Sequence, residues 1–450
     1  MTITLIILIG IVIVSATTFG KQSDPAFDNV SSVTSIFNKG ISLTGGLRAT
    51  TRDTAYKNCL IVGPSGSGKT STVLFATLNS LVRGNNSFCV LDVGGEIYKS
   101  FSGYLSKQAK IYCIDLTETS DGFNPIEAFG SSISEIEKFS SILIKNSGIA
   151  GSGDPYWSAS AENIIATMIR LIWHQQPEFR NMINLVRMIQ TLAAEPKKID
   201  AMVVKTRDSE LISSYKAIIS VGEKTLQSSI STALVALKIF KNPEVGRISA
   251  KTTFNFRDFR KEKSILFLNI PVLETQFMAP FTSTIFEYFF KIILERIPDK
   301  RETSMFAILD EMVTMRFQAL GIVYAQIRKF RGGCVGIVQD VEMLKMAWSH
   351  AEVHAITTNS FCKIYLPGQP HATSAFLQDL IGKDEFNKPV MTAAEIRTSK
   401  DAIIIVGAKK PMKEQMIPYY EHWLLNSRAS IPPHQQGKKI PFDSPPLLQI

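Results

Sequence analysis

The chain has no C-x-x-C pair, no internal repeat and no charged side chain from Met1 to Gly20. Each absence excludes something. Its five cysteines, Cys59, Cys89, Cys113, Cys334 and Cys362, each fall in or beside a short apolar run. They read as reduced core residues of a cytosolic compartment, not as a disulfide framework or a thiolate metal site. Without repeats, a solenoid or propeller is excluded. No base-reading motif such as a zinc finger or a basic zipper is present, so sequence-specific DNA reading is excluded as well. No Lys or Arg precedes the apolar run Ile3–Val14, which a secretory leader requires. Roughly twenty residues at ~1.5 Å rise cover about 30 Å, so Met1–Gly20 is expected to be a single retained transmembrane helix with the bulk of the chain cytoplasmic. Val14-Ser15-Ala16 is the one feature that suits a cleavage site instead.

What is present is organised around Cys59-Leu60-Ile61-Val62-Gly63-Pro64-Ser65-Gly66-Ser67-Gly68-Lys69-Thr70-Ser71. An apolar strand runs into G-x-x-x-x-G-K-T, and the helical spacing of Val73, Leu74, Leu78 and Leu81 follows. This is the order of a nucleoside triphosphate site. The glycines let successive backbone N–H groups turn onto phosphates, and the helix start adds its positive dipole end. Lys69 is expected to reach the β- and γ-phosphates of ATP, and the Thr70 hydroxyl to complete a Mg²⁺ shell.

The 450 residues exceed one small core and carry a formal net charge of +9, which favours a polyanionic partner. Basic clusters stand at Arg257, Arg260, Lys261 and Lys263, and at Lys409, Lys410 and Lys413. After the phosphate loop, strands ending at Asp92 and Asp115 alternate with helices, which predicts a parallel α/β sheet. Helical periodicity then takes over: Ile133, Ile136 and Phe139 share one face, and Ile164, Ile165, Met168 and Ile172 share another. Strand signals resume at Ser264–Pro271, with a helix from Met278 to Ile297 and then Met305–Glu311. An apolar strand ending in Asp310-Glu311 is a Walker B pattern, with Asp310 holding the Mg²⁺ through water and Glu311 polarising the attacking water. A helix over Phe317–Phe330 and a strand from Gly333 lead to Gln339, placed to sense the γ-phosphate. Its other reading is the polar start of a solvated loop.

The expected organisation is therefore a transmembrane anchor over 1–20, a juxtamembrane lead-in over 21–45 and a discontinuous P-loop NTPase domain over 46–128 and 246–428. An all-α insertion occupies 129–245. A Pro-rich tail over 429–450 reads as disordered or as a docking segment.

The phosphate loop, Asp92-x-Gly-Gly-Glu96, Phe123-Asn124-Pro125, Tyr156-Trp157, Ser228-x-x-Ser231-Thr232-Ala233-Leu234, Leu309-Asp310-Glu311 and Gln339 occur in this order. Together they resemble the coupling-protein ATPases of bacterial type IV secretion and conjugation, relatives of hexameric DNA translocases. The resemblance implies a RecA-like fold and a homo-hexamer at the bacterial inner membrane. It further implies an arginine finger acting across the subunit boundary, which Arg328 matches best, with Arg331 as the competitor. Implied partners are secretion-channel proteins and single- or double-stranded DNA or a relaxase-type nucleoprotein. Two other readings share the motifs: a substrate-recruiting platform that makes little use of hydrolysis, and a DNA pump of the same superfamily. The chain departs from the family in having Val93-Gly94-Gly95 where a Lys is common, one apolar segment where two are common, and no substantial C-terminal extension.

Overall fold

The computed structural model describes residues 26–148, 155–317 and 320–450. The expected anchor and the first residues of the lead-in lie outside the described residues, as does most of the Gly-rich loop before Pro155. The framework is a nine-stranded sheet in the order β3-β4-β2-β5-β6-β1-β7-β8-β9. Its strands are β1 (Cys59–Val62), β2 (Asn86–Val93), β3 (Lys110–Ile114), β4 (Ser264–Ile270), β5 (Ser304–Leu309), β6 (Gly332–Val338), β7 (Cys362–Tyr365), β8 (Ala402–Val406) and β9 (Met412–Glu414). β1 to β7 are parallel, and β8 and β9 close the sheet by antiparallel pairing.

The inner strands are buried on both faces, which is why they read as unbroken apolar runs. Alternate residues part between two cores. Cys59, Ile61, Phe88 and Val90 join the core beneath α1 (Thr70–Val82) and α2 (Glu96–Leu105). Leu60, Val62, Cys89 and Leu91 join the core shared with the insertion.

The insertion leaves the sheet after β3 and is helical, as its periodicity predicts. Its helices are α3 (Ile133–Asn146), α4 (Pro155–Trp173), α5 (Met182–Ala194), α6 (Pro196–Thr206), α7 (Ser209–Ile219) and α8 (Glu223–Ala236). The outgoing and returning connections lie side by side: Phe123 N donates to Ile248 O, and Thr253 N to Gly122 O. Rings fill this hinge, with Phe123, Phe254, Phe256 and Phe259 packed edge-on, tilted or stacked at 5.1–6.3 Å between centroids.

Beyond the insertion, α9 (Thr275–Leu294) and the preceding turn form the one span among the described residues that is long and apolar enough to cross a membrane. Of its most apolar window, 78% is buried in the protein, so it is a core helix here. The expected helix over 317–330 is α10 (Leu320–Gln326) followed by a 3₁₀ turn over Ile327–Phe330.

Two terminal stretches are more tightly held than their composition suggests. In the lead-in, Asp28 bridges to Met412 of β9, Val30 N donates to Glu414 Oε1 and Ser42 N donates to Thr77 Oγ1 of α1. The tail, which reads as disordered or as a docking segment, lies along the surface, with Ile440 fully buried and Leu448 nearly so. Proline prevents regular structure there, but the Pro446 carbonyl still accepts hydrogen bonds from Asn181 and Asn184 below it.

Candidate nucleotide site

β1 delivers the phosphate loop to the C-terminal edge of the sheet. Gly66 and Gly68 adopt φ of +77° and +83°, which a side chain would resist, and so curl the loop over the start of α1. That helix opens with a wide π-type turn over Thr70–Leu74. Lys69 Nζ donates to Gly63 O at 2.8 Å and Pro64 O at 3.0 Å, so the ammonium lies folded beneath the loop. Burial lowers its pKa, while Asp310 and Glu311 pull it back up. The Ser71 and Thr72 hydroxyls both donate to Gly68 O and fix the loop to the helix. Ser65 and Gly66 are exposed at the loop's crest. Ser67 Oγ is buried without a hydrogen-bond partner, a donor suited to a phosphate oxygen.

The Walker B strand β5 is separated from β1 by β6 alone, so the ends of all three strands converge. Asp310 is 7% exposed, and its carboxyl is pushed up to about 7, first by burial and then by Asp92 and Glu311. Glu311 adopts a left-handed backbone with φ of +57°, a strained conformation for a non-glycine residue that turns its side chain off the strand line. Its Oε1 accepts from Gln339 Nε2 at 3.0 Å. Gln339 is thus in the centre, at the first position past β6, between the phosphate loop and Asp310-Glu311.

Two contributors carry no assignment from the sequence. Asp92 is the next-to-last residue of β2, which pairs with β5 through Leu91 and Leu309, and its charge acts on Asp310. It is fully buried and accepts from Ile97 N at 3.2 Å and Tyr98 N at 2.7 Å at the start of α2. Burial still pushes it up to about 6 against those hydrogen bonds. Gln369 lies under the phosphate loop, its Nε2 donating to Val62 O and Leu366 O. The acid ending a strand before Gly94-Gly95 was a visible signal for Asp92, whereas a lone Gln after Gly368 gave none for Gln369.

Oxygen donors with this chemistry suit Mg²⁺: the Thr70 hydroxyl and the Asp310 carboxyl could hold it, and a bound dication would relieve the repulsion among Asp310, Asp92 and Glu311. Arg328 lies elsewhere. It is exposed on the turn before β6, at the opposite end of the sheet from its own phosphate loop. The length of a seven-residue strand, about 20 Å, separates the two ends. Arg331 is engaged within its own chain, donating to Asp299 O and Glu302 O. The basic cluster at 257–263 is also internally used. Arg260 is buried against the carbonyls of Ile293, Thr303 and Phe330, Arg257 pairs with Glu295, Lys261 pairs with Asp258, and Lys263 donates to Val82 O.

A phosphate loop, an acid pair two strands away and a polar strand tip between them, on a mostly parallel sheet, define a RecA-like P-loop fold. Residues 33–393 match the model of the type IV secretory system conjugative DNA transfer family, and the chain belongs to that family. Among curated proteins it is similar to Protein VirD4 of Rhizobium rhizogenes, 18% identical over 412 residues, covering 81% of this chain and 59% of the relative. Protein VirD4 of Agrobacterium fabrum matches with the same identity and coverage. The chain thus spans about three fifths of the length of these relatives. Among solved structures, bacterial conjugative coupling protein TrwBdeltaN70 with sulphate superposes with a TM-score of 0.70 at 14% identity, covering 89% of this chain and 96% of that one. TrwB with the ATP analogue ADPNP gives 0.68 at 15% identity, covering 94% and 98%. VirB4 of Thermoanaerobacter pseudethanolicus gives 0.53 at 12% identity, covering 86% and 98%. At such identities these likenesses show a shared fold.

Proposed function

We propose that the chain is a membrane-anchored, ATP-driven coupling protein that recruits DNA, as nucleoprotein, or a protein substrate and moves it into a type IV secretion or conjugation channel. The observation that carries this reading is the convergence of Lys69, Asp310, Glu311 and Gln339 at one sheet edge in a chain of this family. TrwB has been solved with ADP and Mg²⁺, which supports the same ligands here. Further parts of the reading are a homo-hexamer at the bacterial inner membrane, held by the apolar segment 1–20 and working with secretion-channel proteins. DNA would be held through phosphates without regard to sequence, so its binding would weaken with salt.

In the proposed mechanism, loop N–H groups and Ser67 hold the phosphates, and Lys69 leaves the Gly63 and Pro64 carbonyls to contact the β- and γ-phosphate oxygens. Mg²⁺, on Thr70 and Asp310, would offset charge across those oxygens. Glu311 orients and deprotonates the attacking water, and Gln339, already bonded to Glu311, reports the presence of the γ-phosphate. Arg328 serves the neighbouring subunit's phosphoryl group, because its own pocket is out of reach.

Substitutions separate these roles. Lys69→Ala is expected to weaken ATP binding. Glu311→Gln is expected to keep binding and lose turnover by ~10²-fold or more, as for a removed general base. Binding by calorimetry and phosphate release measured on the same samples check both, and parent-rate hydrolysis by Glu311→Gln would sink the assignment.

A further inference from the structure

Residues 430–450 are fastened at three places. On α2, His434 N donates to the buried Ser102 Oγ at 2.9 Å and Tyr98 Oη donates to His434 O at 2.7 Å. Gly103 faces the Pro432 carbonyl so closely that no Cβ would fit. At the hinge, Lys439 Nζ donates to both carboxylate oxygens of Asp121, at 2.9 and 2.8 Å. Asp121 is fully buried where the chain leaves β3 for the insertion. It also accepts from Cys113 N on β3 and from Thr253 Oγ1 on the returning connection. On the insertion, Pro446 O accepts from Asn181 and Asn184 Nδ2, and Leu448 N donates to Asn184 Oδ1 at the start of α5.

One residue joins the first fastening to the nucleotide site. The Tyr98 backbone N–H donates to Asp92, the acid beside Asp310, while the Tyr98 phenol holds the tail. Direct contacts therefore run from the site through α2 to the tail, and from the tail to the hinge and to α5. Withdrawing Lys439 would leave Asp121 a buried carboxylate without its cation, so the hinge fastening is not released piecemeal.

We propose that residues 430–450 are a strap that couples the nucleotide site to the helical insertion, fixing the insertion through Asp121 and Asn184 and responding to the site through Tyr98. The nucleotide half of this proposal rests on the functional reading above; the fastening at the hinge does not.

Hydrogen exchange on the full chain, with and without Mg–ATP, tests both halves. In Lys439→Ala, amides of 117–124 and 249–256 are expected to exchange about tenfold faster or more, with Lys439→Arg near the parent. In the parent, Mg–ATP should change exchange over 97–104 and 432–440 together. In Tyr98→Phe, the change over 97–104 should persist and that over 432–440 should vanish. The strap is overturned if Lys439→Ala speeds exchange in the tail alone, and the coupling is overturned if the Tyr98→Phe tail still responds. Calorimetry on the same samples shows whether the parent binds Mg–ATP. If it does not, the functional reading and the coupling fall together, and the hinge result still decides the fastening.

Discussion

At the scale of single residues, the site is an acid cluster held against burial. Asp310 is pushed up to about 7 and Asp92 to about 6, in both cases first by burial. A carboxyl whose folded pKa lies above its unfolded value of ~4 binds more protons when folded, so its contribution to stability is present at low pH and lost as pH rises through the folded value. Without nucleotide or metal, stability should therefore decline between about pH 4 and 7, and Asp310→Asn should flatten that decline. Urea midpoints at pH 5 and 7.5 for both chains check this, and equal slopes would remove the acid cluster as a source of strain. Lys69, Thr70 and Asp310-Glu311 were legible because each lies in a local pattern of strand, turn and helix. Asp92 was visible near a strand end, but its place beside Asp310 was not, because that depends on which strands pair.

At the scale of elements, strands buried on both faces announced themselves as apolar runs, and β2 to β6 lie close to where the sequence places them. β9 did not, because three residues containing Lys413 and Glu414 have no apolar period to read. Basic residues were harder still: the run from Arg257 to Lys263 looks like a surface for polyanions, yet Arg260 is buried on three carbonyls. The hinge shows what a short motif can conceal. Asn124 of Phe123-Asn124-Pro125 caps the helix Pro125–Phe129, its Oδ1 accepting from Ile126 N. Its Nδ2 donates to Arg180 O at 2.6 Å and Ala250 O at 3.2 Å. One buried side chain thus ties both hinge connections to the loop before α5. Asn124→Ala loses a cap and orphans two carbonyls, so a loss of ~2–3 kcal/mol in unfolding free energy is expected, read from urea denaturation. A change under about 0.5 kcal/mol, the range of ordinary surface substitutions, would show that Asn124 does not hold the hinge.

At the scale of the whole molecule, Arg328 and the phosphate loop occupy opposite ends of one sheet, so any partnership between them is intermolecular. On the proposed hexamer with Arg328 acting in trans, turnover per protomer should rise more than linearly with concentration until rings form, and Arg328→Ala should bind ATP yet hydrolyse it ~10³-fold more slowly. Mixing Arg328→Ala with Glu311→Gln places some intact Arg328 beside intact Glu311, so mixed rings should exceed both parents in phosphate release. Mixed rings without recovery would mean that Arg328 is not the finger or that hydrolysis needs every subunit at once, and repeating the mixture with Arg331→Ala separates the two. Strand order, the strap and the lead-in's grip on β9 were illegible, since none is encoded by neighbours in sequence. The side-by-side hinge connections bear on the order of folding. β3 and β4 are adjacent in the sheet, although the entire insertion separates them along the chain. Closing so long a loop directly would be slow, because its ends must be found by diffusion through a large ensemble. An insertion that condenses first brings Gly122–Asn124 against Ile248–Thr253 and turns a remote encounter into a local one. The helices would then act as a scaffold for the growing sheet, and mutations that loosen them would be felt first as delayed pairing of β3 with β4.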